Sequence, residues 1–122
     1  RNPATCWIEG VDGVGIGEYL LFDSEEKQSV RGIAVLPGYL SSEDIYTKNG
    51  SPLELEIKAG DRIWTKRLES YVPNFSAPMD SMIYIDFGQS ISVDSCIVTI
   101  KDSRSGTKYD DICIAEMFLY GE

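Results

Sequence analysis

Residues 106–116 combine a polar, aromatic-bearing loop with an apolar strand that carries a carboxylate. In the loop, Tyr109 is followed by Asp110 and Asp111, so a ring that can stack lies beside groups that can bind hydroxyls or cations. Alternation along the strand puts four residues on one face: Ile112, Ile114, Glu116 and Phe118. An ionised carboxylate on such a face needs compensation from backbone N–H groups, a cation or a bound metal. The stretch is therefore predicted to be a site, and the sequence leaves these three partners open.

Catalysis is disfavoured because the chain has no histidine. Its absence removes the Ser-His-Asp and Cys-His arrangements that activate a nucleophile, and the commonest ligand of transition metals. A pair of carboxylates could hydrolyse a glycoside, but with 20 acidic residues no chosen pair is informative. The glycines of residues 13–17 lack the spacing of a dinucleotide-binding loop. The sequence therefore predicts a domain that is not an enzyme.

Length and charge indicate one acidic domain. The 122 residues, 1–122, suffice for a single core, and the chain begins at Arg1 as a module excised from a larger protein would. The net charge is -9 and the basic residues are scattered, so nucleic acid and anionic membranes are poor candidate partners. No apolar run has the length of a membrane span. A neutral ligand, or one bridged by a cation, suits this chain better.

Alternation of apolar and polar residues recurs along the chain and predicts an all-β fold. The segments that show it are residues 18–23, 30–36, 53–58, 62–68, 82–87, 96–100 and 112–120. In the clearest, residues 53–57, three aliphatic residues alternate with two glutamates, and Ala59 and Gly60 follow as a hairpin turn. Seven or eight strands at this spacing indicate a β-sandwich. One short helix is expected within residues 41–48, where Ser42 can cap the first turn.

Binding is expected in the long loops, because loops on a rigid sandwich vary without disturbing its core. These loops are residues 2–17, 38–52, 70–78 and 102–111. Six aromatic residues lie in or beside them: Trp7, Tyr39, Tyr46, Tyr71, Phe75 and Tyr109. Exposed rings of this kind stack on the C–H face of a sugar. Aromatic residues also close the ends of a sandwich, and that structural role suits Trp7 and Tyr46 better.

The three cysteines, Cys6, Cys96 and Cys113, match no Cys-x-x-Cys metal motif. Cys96 lies in an apolar strand pattern and is expected to be a small core residue. Cys6 and Cys113 flank segments that we expect to lie side by side, with the N-terminal loop beside the last strand. A disulfide between them is therefore a candidate under oxidising conditions.

Several short motifs occur in one order along nearly the whole chain. They are Trp7-Ile-Glu-Gly10, Gly15-Ile-Gly-Glu18, Gly38-Tyr39, Lys48-Asn49 with Pro52, and Gly106-Thr-Lys-Tyr-Asp-Asp-Ile-Cys-Ile-Ala-Glu116. Together they resemble the NADase-type glycan-binding domain, a discoidin-like family with the galactose-binding fold found in bacterial secreted and surface proteins. The resemblance implies a jelly-roll β-sandwich that is non-catalytic and binds carbohydrate as part of a larger secreted or surface protein.

On this resemblance, a glycan-binding site is expected in the loops at one end of the sandwich. Its candidate residues are Tyr39, Tyr109, Asp110, Asp111, Trp7 and Glu9. Related modules hold a structural calcium ion, and the matching positions here would be Asn2, Thr5 and Glu116, which offer the oxygen ligands that Ca²⁺ prefers. The alternative is a protein-interaction module for adhesion or targeting, since related folds also bind proteins and an acidic surface suits a basic partner.

Overall fold

The computed structural model describes residues 7–8, 17, 19–68, 70–109 and 112–121, and of residues 7 and 8 it describes only the strand pairing. The elements are β1 (Trp7–Ile8), β2 (Tyr19–Pro37), α1 (Glu43–Lys48), β3 (Ser51–Ala59), β4 (Arg62–Arg67), a 3-10 helix (Pro78–Ser81), β5 (Ile83–Arg104) and β6 (Cys113–Tyr120). Each segment predicted as a strand overlaps one of these strands. The all-β prediction is confirmed.

The predicted short helix is also confirmed. It is α1, and the side-chain oxygen of Ser42 accepts a hydrogen bond of 3.1 Å from the backbone N–H of Ile45. Glu43 and Asp44 lie in its first turn, where a negative charge is favoured by the helix dipole. Of the helices in the described part of the chain, none has the length and apolar character that a membrane span requires.

The strands are fewer and longer than predicted. Residues 18–23 and 30–36 fall within the single strand β2, and residues 82–87 and 96–100 fall within β5. The polar residues between these segments break the alternating pattern, but each strand continues through them and its pairing resumes after them. Six strands are therefore found in the described residues, where the sequence predicted seven or eight. One of them, β1, lies inside a predicted loop.

Two layers form because β2 and β5 pass through both of them. The start of β2 pairs with the end of β5, and β3 and β4 extend this pair into the second layer. The end of β2 pairs with the start of β5, and β6 and β1 extend that pair into the first layer. The layers face each other, since β3 and β6 are in contact without being sheet neighbours. The ring of Trp64 on β4 also stacks on that of Phe87 on β5, with centroids 4.0 Å apart.

Two irregularities interrupt the pairing of β2 with β5. Residues 24–27 of β2 lie opposite Asp94 alone, and residues 87–90 of β5 lie opposite Arg31 alone. Because the insertions are on opposite strands, the second restores the register that the first displaces. Insertions of this kind bend a strand and increase its twist. They explain how both strands can leave one layer and enter the other.

The main core lies between the two layers. Its most deeply buried residues come from four strands and the residue that precedes β6: Ile33, Val35, Leu55, Ile57, Val98, Ile100, Ile112 and Ile114. A second, smaller cluster covers the reverse side of the first layer. It consists of Leu36, Leu40 and Ala115, with Tyr46, Phe75 and Met82 packed against them. The structural role expected for Tyr46 is confirmed, because its ring belongs to this cluster.

The predicted face of β6 is wrong beyond Ile114. The structure packs Met117 and Leu119 against the main core, where strict alternation predicted Glu116 and Phe118. The cause is a register shift, because Ala115 has no counterpart on β2 and the strand changes face there. Glu116 is half-buried and lies opposite Leu36, a residue of the second cluster. The carboxylate is thus placed off the main core rather than within it.

The two segments expected to lie side by side do so. β1 pairs antiparallel with β6, with Trp7 opposite Ile114 and Ile8 opposite Cys113. Cys113 is buried, but Cys6 lies outside the described residues, so the disulfide stays a prediction. Cys96 is a core residue with 1% of its surface exposed, as expected. Burial raises the pKa of its thiol from 9.0 to about 11.

The raised pKa of Cys96 predicts a loss of stability in alkaline solution. The unfolded chain ionises at Cys96 near pH 9, whereas the folded protein keeps the thiol neutral up to about pH 11. Stability from this group is complete below pH 9 and is lost as the pH rises to about 11, by an amount on the order of 2 kcal/mol. Urea denaturation across this range should show a steeper decline for the wild type than for Cys96→Ala. Equal slopes would contradict the assignment.

Candidate functional site

The loop that follows β5 is fixed by the carboxyl-terminal end of α1. The last carbonyl groups of a helix have no partner within the helix. Here the backbone N–H of Thr107 donates to the carbonyl of Thr47 at 3.0 Å, and that of Tyr109 donates to the carbonyl of Lys48 at 2.8 Å. The N–H of Lys108 also donates to the carbonyl of Lys48, at 3.2 Å. The loop therefore caps the helix, and its backbone is held rigidly at this end of the sandwich.

Gly106 has no room for a side chain. A Cβ atom built there would lie 2.0 Å from the carbonyl oxygen of Lys48 and 2.5 Å from that of Tyr109. The N–H of Gly106 also donates to the carbonyl of Tyr109 at 3.1 Å, which closes the loop on itself. The glycine that opens the Gly106-to-Glu116 motif is thus explained by close backbone contact with α1.

Arg104 joins this end of the fold to the second cluster. Its guanidinium donates a hydrogen bond of 3.0 Å to the carbonyl of Tyr46 and lies 4.6 Å from the centroid of the Tyr46 ring. The Tyr46 ring contacts Phe75 edge to face at 5.6 Å. Gly38 lies against the same ring, because a Cβ there would approach it to 2.4 Å. Arg104 was not predicted as a site residue, because its only signal in the sequence is its position as a basic residue at the start of a predicted loop.

Tyr39, the other tyrosine predicted in the site, lies beside a second set of backbone hydrogen bonds. Tyr39 follows Gly38, whose N–H donates to the carbonyl of Cys113 at 2.9 Å, and the N–H of Cys113 donates in turn to Gly50 at 3.0 Å. Tyr39 is half-buried, whereas 44% of the surface of Tyr109 is exposed. We call the surface formed by Lys108 and Tyr109 the loop-end surface.

Positive charge accompanies the exposed ring of the loop-end surface. The ammonium group of Lys108 lies 5.3 Å from the centroid of the Tyr109 ring. Lys48 forms an ion pair of 2.8 Å with Asp44, and this hydrogen-bonded carboxylate raises the pKa of Lys48. A cation beside an exposed aromatic face can contact a partner by stacking and by charge. The arrangement supports recognition.

The other predicted site residues can be placed only in part. Asp110, Asp111, Glu9, Asn2 and Thr5 lie outside the described residues, as does the side chain of Trp7. Of the calcium set, only Glu116 is described. Within the described ranges there is no group of three or more histidine, cysteine, aspartate or glutamate residues that could hold a metal ion. The glycan contacts of the undescribed residues and the calcium site stay predictions.

A second group of charged side chains, which no pattern in the sequence indicates, lies on the first layer. The Nε atom of Arg31 is 3.2 Å from both carboxylate oxygens of Asp86, and the N–H of Gly88 donates to Asp86 at 2.6 Å. The hydrogen bond from Gly88 and the charge of Arg31 hold the pKa of Asp86 below its usual value. Arg31 and Gly88 belong to the second irregularity of the β2–β5 pair. These contacts with Asp86 therefore stabilise the second irregularity.

Comparisons with known proteins identify the fold and the family. The family model described as the NAD glycohydrolase translocation F5/8 type C domain matches residues 1–120. The NMR structure of the Streptococcus pyogenes NAD+-glycohydrolase translocation domain is similar with a TM-score of 0.69 and 20% identity, over 97% of this chain and 98% of that one. No curated protein matches the chain.

A mycobacterial enzyme contains a domain of the same fold. The cryo-EM structure of arabinofuranosyltransferase AftD from Mycobacteria is similar with a TM-score of 0.66 and 16% identity, over 100% of this chain but only 8% of that one. The AftD mutant R1389S gives a TM-score of 0.67 over 9% of its chain. At these identities the likeness concerns the fold alone, and it agrees with the β-sandwich of the F5/8 type C family.

Replacing Gly106 should loosen the loop-end surface. In Gly106→Ala the new methyl group would clash with the carbonyl of Lys48, so the loop must move and the caps of α1 must lengthen. We expect a loss of roughly 1–3 kcal/mol in the free energy of unfolding, measured by urea denaturation. The control is Ser105→Ala at the neighbouring exposed position, which should change stability by less than about 0.5 kcal/mol. Equal stabilities of the two variants would refute the capping role.

Proposed function

The chain belongs to the NAD glycohydrolase translocation F5/8 type C domain family, and from that membership we propose that it is a non-catalytic protein-interaction or targeting module. The observation that carries the proposal is the match of the family model to residues 1–120, nearly the whole chain. The family description assigns translocation, rather than cleavage of NAD, to this domain. A translocation domain acts by binding another molecule, either the target that it must reach or the carrier that transports it.

The geometry of the loop-end surface supports a recognition role. Tyr109 and Lys108 project from a backbone that is fixed by hydrogen bonds to α1 and by the absence of a side chain at Gly106. A rigid aromatic residue loses little conformational entropy on binding, which is why tyrosine is frequent among the residues that dominate interface energies. Away from Lys108, the net charge of -9 on the chain favours a partner with a basic surface.

The setting that we propose is a larger secreted protein. The Streptococcus pyogenes relative is named as the translocation domain of an NAD+-glycohydrolase, so in that protein the domain accompanies an enzyme. By analogy, this chain would direct an attached domain to its destination. Carbohydrate binding, the leading expectation from the sequence, is the weaker alternative, because the family description names translocation and no sugar.

Tyr109→Ala should weaken binding to a protein partner without unfolding the domain. The ring is substantially exposed and the structural hydrogen bonds come from the backbone, so the free energy of unfolding should change by less than about 1 kcal/mol. Loss of the ring should weaken binding by about ten-fold or more. The measurement is the affinity for proteins secreted together with the parent protein, by cross-linking followed by titration of the captured protein.

The control for this test is Tyr84→Ala, because Tyr84 is also an exposed tyrosine, at 62%, but lies on the first layer. It should leave the affinity unchanged. A glycan array probed with the wild type, Tyr109→Ala and Tyr84→Ala distinguishes protein binding from glycan binding. Saturable sugar binding that is lost in Tyr109→Ala, with no protein partner captured, would overturn the proposal in favour of the glycan-binding alternative.

A further inference from the structure

A cavity of about 410 Å³ opens where β2 leaves its pairing with β5, away from the loop-end surface. Five of its ten lining residues are apolar, and they come from both layers: Leu21, Phe22, Val30, Val93 and Leu119. All but Val30 remain partly or largely exposed, so apolar surface is accessible at the opening. Cavities that bind small ligands or single side chains have volumes of roughly 300–1,000 Å³ and walls of this character.

The cavity is a consequence of the first irregularity in the β2–β5 pair. Residues 24–27 leave the ladder and are held by local contacts, in which the hydroxyl of Ser24 donates to the carbonyl of Glu26 at 2.5 Å. Leu119 of β6 lines the cavity together with residues of β2 and β5 that lie on both sides of this irregularity. Because backbone pairing shapes this opening, it is a feature of the fold rather than of one side-chain position.

The rim of the cavity is acidic. Asp23 and Asp94 lie on it beside the neutral polar groups of Ser24, Gln28 and Ser95, and no lining residue is basic. Both aspartates are exposed, and within the described part of the chain neither forms an ion pair. An apolar recess with two carboxylates at its mouth is complementary to a group with an apolar body and a cationic end.

We propose that this cavity binds a protein segment in which a large apolar side chain is adjacent to a lysine or arginine. The inference rests on the proposed function, since it supplies a second contact surface and the chemistry of the partner. The apolar side chain would enter between Phe22, Val93 and Leu119, and the cation would pair with Asp23 and Asp94.

The test uses a fluorescently labelled peptide of alternating leucine and lysine, titrated against the folded chain and followed by anisotropy. We expect saturable binding that weakens by about ten-fold or more in the double variant Asp23→Asn, Asp94→Asn. The control double variant Glu56→Gln, Asp80→Asn removes the same charge elsewhere and should bind as the wild type does. Loss of binding in both double variants alike would overturn the proposal, because general attraction to an acidic protein would explain it.

The apolar contact is tested by a second matched pair. Leu21→Ala at the cavity should weaken binding several-fold, whereas Ile63→Ala, at a site with similar exposure on β4, should not. A peptide with glutamate in place of lysine should bind far more weakly. Equal binding of the two peptides would refute the proposed pairing of the peptide's lysine with Asp23 and Asp94. Tyr109→Ala should leave binding of the peptide unchanged. If the peptide does not bind at the cavity, but Tyr109→Ala still weakens binding of the captured protein partner, this inference is overturned and the proposed function stands.

Discussion

The antiparallel pairing of β2 with β5 runs through both layers of the sandwich, and the remaining strands add to one end of this pair or the other. Long strands of this kind can serve two layers only if they bend, and the insertions at residues 24–27 and 87–90 supply the bends. Since the insertions lie on opposite strands, the register is restored beyond them.

Each of the two surfaces discussed as binding sites depends on this pair. At one end, β5 leads through Arg104 into the loop that caps α1, so the backbone of the loop-end surface is fixed before any partner arrives. At the first insertion, the strands part and leave an apolar recess with an acidic rim. The second insertion, in contrast, is closed by the contact of Arg31 and Gly88 with Asp86. One insertion thus offers a surface for binding, and the other is stabilised internally.

Local patterns predicted the elements well, because alternation and capping depend on neighbours in sequence. The strand segments and the cap at Ser42 follow from such patterns. The fusion of segments into β2 and β5 could not be predicted, since a polar run such as residues 24–27 has the same composition in a loop and in a bulge. The face of Glu116 was predicted wrongly for a related reason, as the shift at Ala115 is set by pairing with β2 and not by the strand itself.

The candidate site was predicted in part. Tyr109 was expected to be exposed because all its neighbours are polar, and the structure agrees. The role of its loop was not visible, because the capping of α1 uses backbone N–H groups that every residue except proline carries. Arg104 was missed because its contact with Tyr46 joins residues distant in sequence. The function could not follow from residues alone, since one fold can carry many unrelated functions.

The most direct test of this account is the cross-strand register of β2 and β5, measured by NMR from nuclear Overhauser contacts between backbone protons. We predict contacts that pair Leu21 with Ile97, Gln28 with Val93 and Ile33 with Ile85, with residues 24–27 outside the ladder. A regular ladder in which residues 24–27 pair in turn with residues 91–94, so that Val93 lies opposite Glu25, would contradict it. The insertions could then not explain the bends of β2 and β5, the two layers or the acidic recess.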